Sequence, residues 1–165
     1  MRFSKNFLVL TTLILPSIAM SDVACLKEMQ TSKKQPSNNE VSTAAWNCLD
    51  SLTENIISGD INAIDDGVKL LHHTDAGYTS TIKISLGLAL KKEPEHVLIN
   101  LKRNHSLLKY VCSLNFIEPE INFVKEYYQS TREKLENIKS RYLIKEKDLC
   151  IKNMNRSYKL FFMEN

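Results

Sequence analysis

His72 and His73, followed two residues later by Asp75, are the side chains in this sequence whose types come nearest to metal or acid/base chemistry. Catalytic zinc sites pair two histidines at i and i+4 of a helix with a glutamate between them, and that spacing is absent here. Two adjacent histidines instead fit the end of a helix, where positive charge is favourable. Ser80-Thr81-Ile82-Lys83 matches the Ser-x-x-Lys arrangement in which a lysine activates a serine nucleophile. The Ser-Asp-Asn and Lys-Thr-Gly partners of that machinery are missing, so the match reads as chance. His96 and His105 lie nine residues apart and read as surface positions. Asp65-Asp66 has no visible arrangement that would raise the pKa of one carboxylate, as general acid catalysis requires. The sequence therefore assigns no catalytic residue, no metal ligand and no cofactor, and the expectation is a protein that is not an enzyme.

The cysteines and the leader say where such a protein works. Arg2 and Lys5 precede the apolar run 7–15, which is too short for a stable membrane span, and Pro16 and small residues follow. Residues 1–21 read as a signal peptide cleaved after Ser21, with Ala19 as the alternative, leaving no stable membrane span. A periplasmic or secreted location makes the four cysteines, Cys25, Cys48, Cys112 and Cys150, two structural disulfides. No Cys-x-x-Cys occurs, so neither a thioredoxin-like centre nor a zinc ribbon is supported. Loss of Arg2 and Lys5 leaves 20 basic and 19 acidic residues. That balance, with Lys33-Lys34 and Lys91-Lys92 as isolated pairs, excludes a nucleic-acid partner, which needs a concentrated basic face.

Gly 4 and Pro 4 are scarce for a turn-rich β protein. The reading is all-α: a compact, disulfide-stapled bundle or array of about five to seven helices over 41–165, preceded by a flexible segment 22–40. The first helix runs from about Val41 to Ser58 with Ala45, Cys48, Leu49, Leu52 and Ile56 on one face, and Gly59 stands where a left-handed C-cap is wanted. Asp60 caps a second helix whose stripe is Ile61, Ile64, Val68 and Leu71. A third, capped by Asp75, reaches Leu90 with Ile82, Leu86, Ala89 and Leu90 inward, although 78–84 also alternates like a strand. Gly77 and Gly87 within it fit close approach of a neighbouring helix. Glu93-Pro94 and Glu118-Pro119 each place proline at a first helical position behind an acid. Helices follow over Pro94–Leu101, from Ser106 to Cys112, and from Pro119 with Ile121, Val124, Tyr128, Leu135, Ile138 and Tyr142 as its stripe. If that last helix is unbroken, a rise of about 1.5 Å per residue carries Cys150 more than about 40 Å from Cys112, against a disulfide separation of roughly 6 Å. A turn over Asn137–Ser140 instead folds the last segment back. Spacing alone leaves all three disulfide pairings open.

Cys112-Ser113-Leu114-Asn115-Phe116-Ile117-Glu118-Pro119, an amphipathic helix and then Asp148-Leu149-Cys150 resemble a group of small secreted helical bacterial proteins with a Cys…Phe-Ile-Glu-Pro…Cys pattern. Leu88-Ala89-Leu90, Pro94 and Val97-Leu98 extend the likeness, which spans roughly residues 44 to 152. That group has no assigned activity. The resemblance implies export, helices and a Cys112–Cys150 bridge, which leaves Cys25 for Cys48.

Among the aromatics, Trp46 beside Cys48 is expected in the core. Of the adjacent Tyr127 and Tyr128, Tyr127 is taken as the outward one. Tyr158-Lys159-Leu160-Phe161-Phe162-Met163 is an apolar chain end that either docks on the core or meets a partner. The functional expectation is a periplasmic binding or inhibitor protein, such as an immunity protein against a toxin or cell-wall hydrolase, with another periplasmic protein as partner. Its candidate contacts are Tyr127, Asp65, Asp66, Tyr158, Phe161 and Phe162. The alternatives are a small hydrolase with an unrecognised site around His72, His73 and Asp75, or a structural protein of the envelope.

Overall fold

Residues 43–71 and 76–164 are described by a computed structural model. Among them seven α-helices and one 3-10 turn follow one another with no strand: α1 Thr43–Ser58, α2 Ile61–Leu70, α3 Ala76–Ala89, α4 Pro94–Leu101, α5 His105–Val111, α6 Ile121–Glu136, the 3-10 turn Arg141–Leu143 and α7 Ile144–Glu164. The leader 1–21, the segment 22–40 with Cys25, and His72, His73 and Asp75 lie outside the described residues.

The α1–α2 corner follows from its two joining residues. Gly59, at φ +92°, ends α1 in a Schellman arrangement: its N–H donates to Ile56 O, and the N–H of Asp60 donates to Asn55 O. Asp60 then caps α2, its carboxylate accepting from Ala63 N at 2.8 Å. Only glycine enters this left-handed corner freely, and a Cβ there would stand 2.9 Å from Cβ of Lys92. Gly59→Ala is expected to cost about 1–2 kcal/mol, read as a lower urea midpoint with an unchanged slope.

The predicted inner faces of α1 and α3 are largely those observed: Ala45, Leu49, Leu52 and Ile56, and Ile82, Leu86, Ala89 and Leu90, are all buried, while Cys48 is half-buried at the edge of the α1 face. The strand alternative for 78–84 does not hold, because those residues lie within α3. Gly87 does permit close approach, a Cβ there meeting Val111 O of α5 at 3.1 Å, whereas Gly77 is exposed. The α2 face is rotated from its expected stripe. Ala63, Ile64, Gly67 and Leu70 are inward and Ile61 is exposed, because Gly67 lets Ile56 of α1 sit against the α2 backbone. Trp46 is likewise not in the core. It is 45% exposed, one position off the Ala45/Leu49 stripe, with its ring edge-on to Tyr78 of α3 at 4.9 Å. Pro94 opens α4 as expected, but Pro119 does not open α6; the helix starts two residues later, with Glu120 as its N-cap.

The break that the cysteine geometry demanded is present. α6 ends at Glu136, Ile138 is buried in the turn, and the Lys147 ammonium donates to Ile138 O at 3.2 Å. Ser140 is extended before the 3-10 turn, whose Leu143 N–H donates to Ser140 O. α7 then returns along α6, and Cys150 meets Cys112 with Cα atoms 5.0 Å apart. Cys48 is also disulfide-bonded; Cys25, the other half of the expected second pair, lies outside the described residues. One hydrophobic cluster runs from Leu49 of α1 through Leu86, Leu98 and Leu108 to Met154 of α7.

Candidate functional site

The disulfide fixes the start of the loop that joins α5 to α6. Beyond Cys112, Ser113 N–H and Asn115 Nδ2 both donate to Tyr110 O at 3.0 Å, folding the chain back on the end of α5. Phe116 then packs edge-on against Phe123 and Tyr127, with centroids 5.2 and 4.9 Å away. The next residue, Ile117, is 83% exposed. Glu118 follows at φ +45°, a left-handed conformation costing about 1–2 kcal/mol for a residue with a Cβ. Pro119 contributes by disfavouring the right-handed helical region for the residue before it. The sequence thus spends conformational energy to hold a large apolar side chain in water at the tip of an anchored loop. Beside the tip is a groove of about 460 Å³ lined by Ile84, Phe116, Ile117, Pro119, Glu120 and Phe123. Ile121 and Phe123 extend the exposed apolar surface, and continuous surface of this kind marks interaction sites.

Tyr127 does not face outward, contrary to the sequence expectation. It is 4% exposed, and its hydroxyl donates to Gly87 O across the α3–α6 seam. The buried stripe of α6 is Val124, Tyr127, Thr131 and Leu135, so Tyr127 takes the inner place expected for its neighbour. Burial pushes the Tyr127 phenol well above its ordinary value of 10.0. Its neutral form therefore favours the fold fully below about pH 10, and that contribution is lost as pH rises toward the elevated folded value. Tyr127→Phe is expected to cost about 1 kcal/mol near neutrality. Because phenylalanine does not titrate, the gap from wild type should narrow above about pH 10 in urea titrations.

The other expected contacts are placed as follows. Asp65 accepts from His96 Nε2 at 2.6 Å and from Asn100 Nδ2 at 2.9 Å, tying α2 to α4. Asp66 pairs with Lys69 at 2.8 Å, and this hydrogen bond raises the lysine pKa. The acidic edge is therefore engaged within the protein. Tyr158 stacks on Tyr128 at 4.0 Å, docking the chain end on α6, and Phe161 and Phe162 meet edge to face at 5.2 Å. Leu160, Phe162 and Met163 remain exposed.

A second concavity, of about 540 Å³, opens at the other end of α5, where the α4–α5 corner faces the turn before α7. Lys102, Arg103, His105, Arg141, Tyr142, Lys145 and Glu146 line it. Sequence reasoning missed it. The available signals were the Lys102-Arg103 pair and the i,i+4 spacing of Arg141 and Lys145; what joins them is the α6–α7 return.

No known family model matches this chain, and neither does any curated protein or solved structure. Any functional reading therefore rests on its own surface chemistry.

Proposed function

We propose that this chain is an exported binding protein of the inhibitor type, which inserts the Ile117 loop into an apolar cleft of another envelope protein, as an immunity protein would occupy a toxin or wall hydrolase. The observation that carries this reading is the exposed Ile117 side chain on a loop anchored by Cys112–Cys150 and strained at Glu118. Strained backbone concentrates at binding sites. A loop already held in its bound shape also loses less entropy on association. The exposed Glu118 and Glu120 beside the tip favour a partner whose apolar cleft has a basic rim. The disulfide fits an oxidising compartment, in keeping with the leader read at residues 1–21. No helix among the described residues is long and apolar enough to cross a membrane.

The test is capture from an envelope extract of the source cells at low salt. Wild type and Ile99→Asp, which alters another exposed isoleucine on α4, should retain the same stoichiometric partner, and Ile117→Asp should lose it. Equal recovery by all three, or no stoichiometric partner for any of them, contradicts the reading.

A further inference from the structure

The α5/α7 cleft has the makings of a small-ligand site independent of the Ile117 loop. Four cationic side chains, Lys102, Arg103, Arg141 and Lys145, line it against one carboxylate, Glu146. Lys102 is partly committed, donating from Nζ to Tyr142 O at 2.9 Å and lying over the Tyr142 ring. Arg103, Arg141 and Lys145 have no carboxylate within ion-pair distance among the described residues, and all three are exposed. Like charges gathered around one cleft from two facing elements, three of them without ion-pair partners among the described residues, form a field suited to an anion.

Glu146 narrows the choice. It is only 5% exposed, and its Oε2 has no hydrogen-bond partner among the described residues. A buried carboxylate oxygen without a donor is costly, and most buried polar atoms are paired. A fully deprotonated bare anion would suit the cationic wall but offer Glu146 nothing, since both are acceptors. A ligand with a hydroxyl next to its charge satisfies both. Tyr142, exposed with Lys102 over its ring, adds an aromatic surface at the mouth, and about 540 Å³ lies within the range of small-molecule pockets.

We propose that this cleft binds a hydroxylated anion, a phosphorylated or carboxylated sugar, with Arg103, Arg141 and Lys145 on the anionic group and Glu146 accepting from a neighbouring hydroxyl. The proposal does not depend on the partner reading of the Ile117 loop.

The oxidised full chain is titrated by two-dimensional amide NMR with glucose 6-phosphate, glucuronate, sulfate, which is fully deprotonated and has no hydroxyl to donate, and glucose. The expected result is saturable binding of at least one acidic sugar in the millimolar range or tighter, with shifts concentrated at 102–105 and 141–146. That sugar should bind about tenfold tighter than sulfate, and glucose should not bind. Whichever acidic sugar binds better names the anionic group. Arg141→Ala/Lys145→Ala should weaken binding by about tenfold or more. Glu146→Leu, which removes the acceptor without leaving a buried charge, should erase most of the preference over sulfate. No saturable shift with either acidic sugar, shifts scattered outside the cleft, a preference unchanged in Glu146→Leu, or undiminished affinity in the double variant would overturn the proposal.

Discussion

Replacing Cys112 and Cys150 together by alanine is expected to lower the unfolding free energy by about 4 kcal/mol, the chain-entropy value for a cross-link spanning 38 residues. Small domains are stable by only about 5–15 kcal/mol, so this single bond would account for a large part of the total. The corresponding fall in Tm exceeds about 10 °C. The size of the effect follows from topology. The bridge closes a loop containing the Ile117 segment, all of α6 and the turn at Asn137–Ser140, so its loss frees the α5–α7 connection in the unfolded chain. Calorimetry of the double variant beside wild type measures the change without also reducing Cys48, which is bridged separately.

The second large effect concerns affinity. Ile117→Asp is expected to weaken binding to the captured partner by about 100-fold, near 2.7 kcal/mol, the loss typical of a central apolar anchor in an interface. Stability should stay within about 0.5 kcal/mol of wild type, because Ile117 is almost wholly in solvent and contributes little to the core. Equilibrium binding of purified proteins, paired with a melting curve, separates the two quantities. A weaker complex with an unchanged Tm would identify a contact residue, whereas a parallel fall in Tm would identify a structural one.

The helices were legible because their signals are local. Gly59 followed by Asp60 specifies a left-handed cap and then an N-cap, and both formed. Pro94 opened its helix, and the burial of Ile82, Leu86, Ala89 and Leu90 followed from spacing alone. The α6–α7 break was legible as a condition attached to Cys112 and Cys150, although 137–140 contains neither proline nor glycine to announce it. The errors came where local pattern is degenerate. Tyr127 and Tyr128 lie three and four residues after Val124, and both spacings fit one face of a helix. The choice between them was made across the molecule, at Gly87, whose backbone carbonyl near the end of α3 receives the Tyr127 hydroxyl as well as the Leu90 N–H. Pro119 misled for a similar reason: Glu118 took a left-handed conformation, and the loop continued past the proline.

The candidate surfaces were less legible still. Ile117 was visible in the sequence only as part of a Phe-Ile-Glu-Pro run, and its exposure depends on how Phe116 packs onto α6. Asp65 looked like an open acidic edge until α4 brought His96 and Asn100 to it across 31 and 35 residues. The cationic cleft joins residues far apart in the chain, Lys102 and Tyr142 being separated by 40, and no helical period relates those positions.

Hydrogen exchange on the purified complex tests the partner-binding surface most directly. Binding is predicted to slow amide exchange in peptides covering 113–123 and to leave peptides covering 61–70 and 158–163 unchanged. Protection confined to the Asp65-Asp66 helix or to the Tyr158–Met163 chain end, with none at the Ile117 loop, would contradict it.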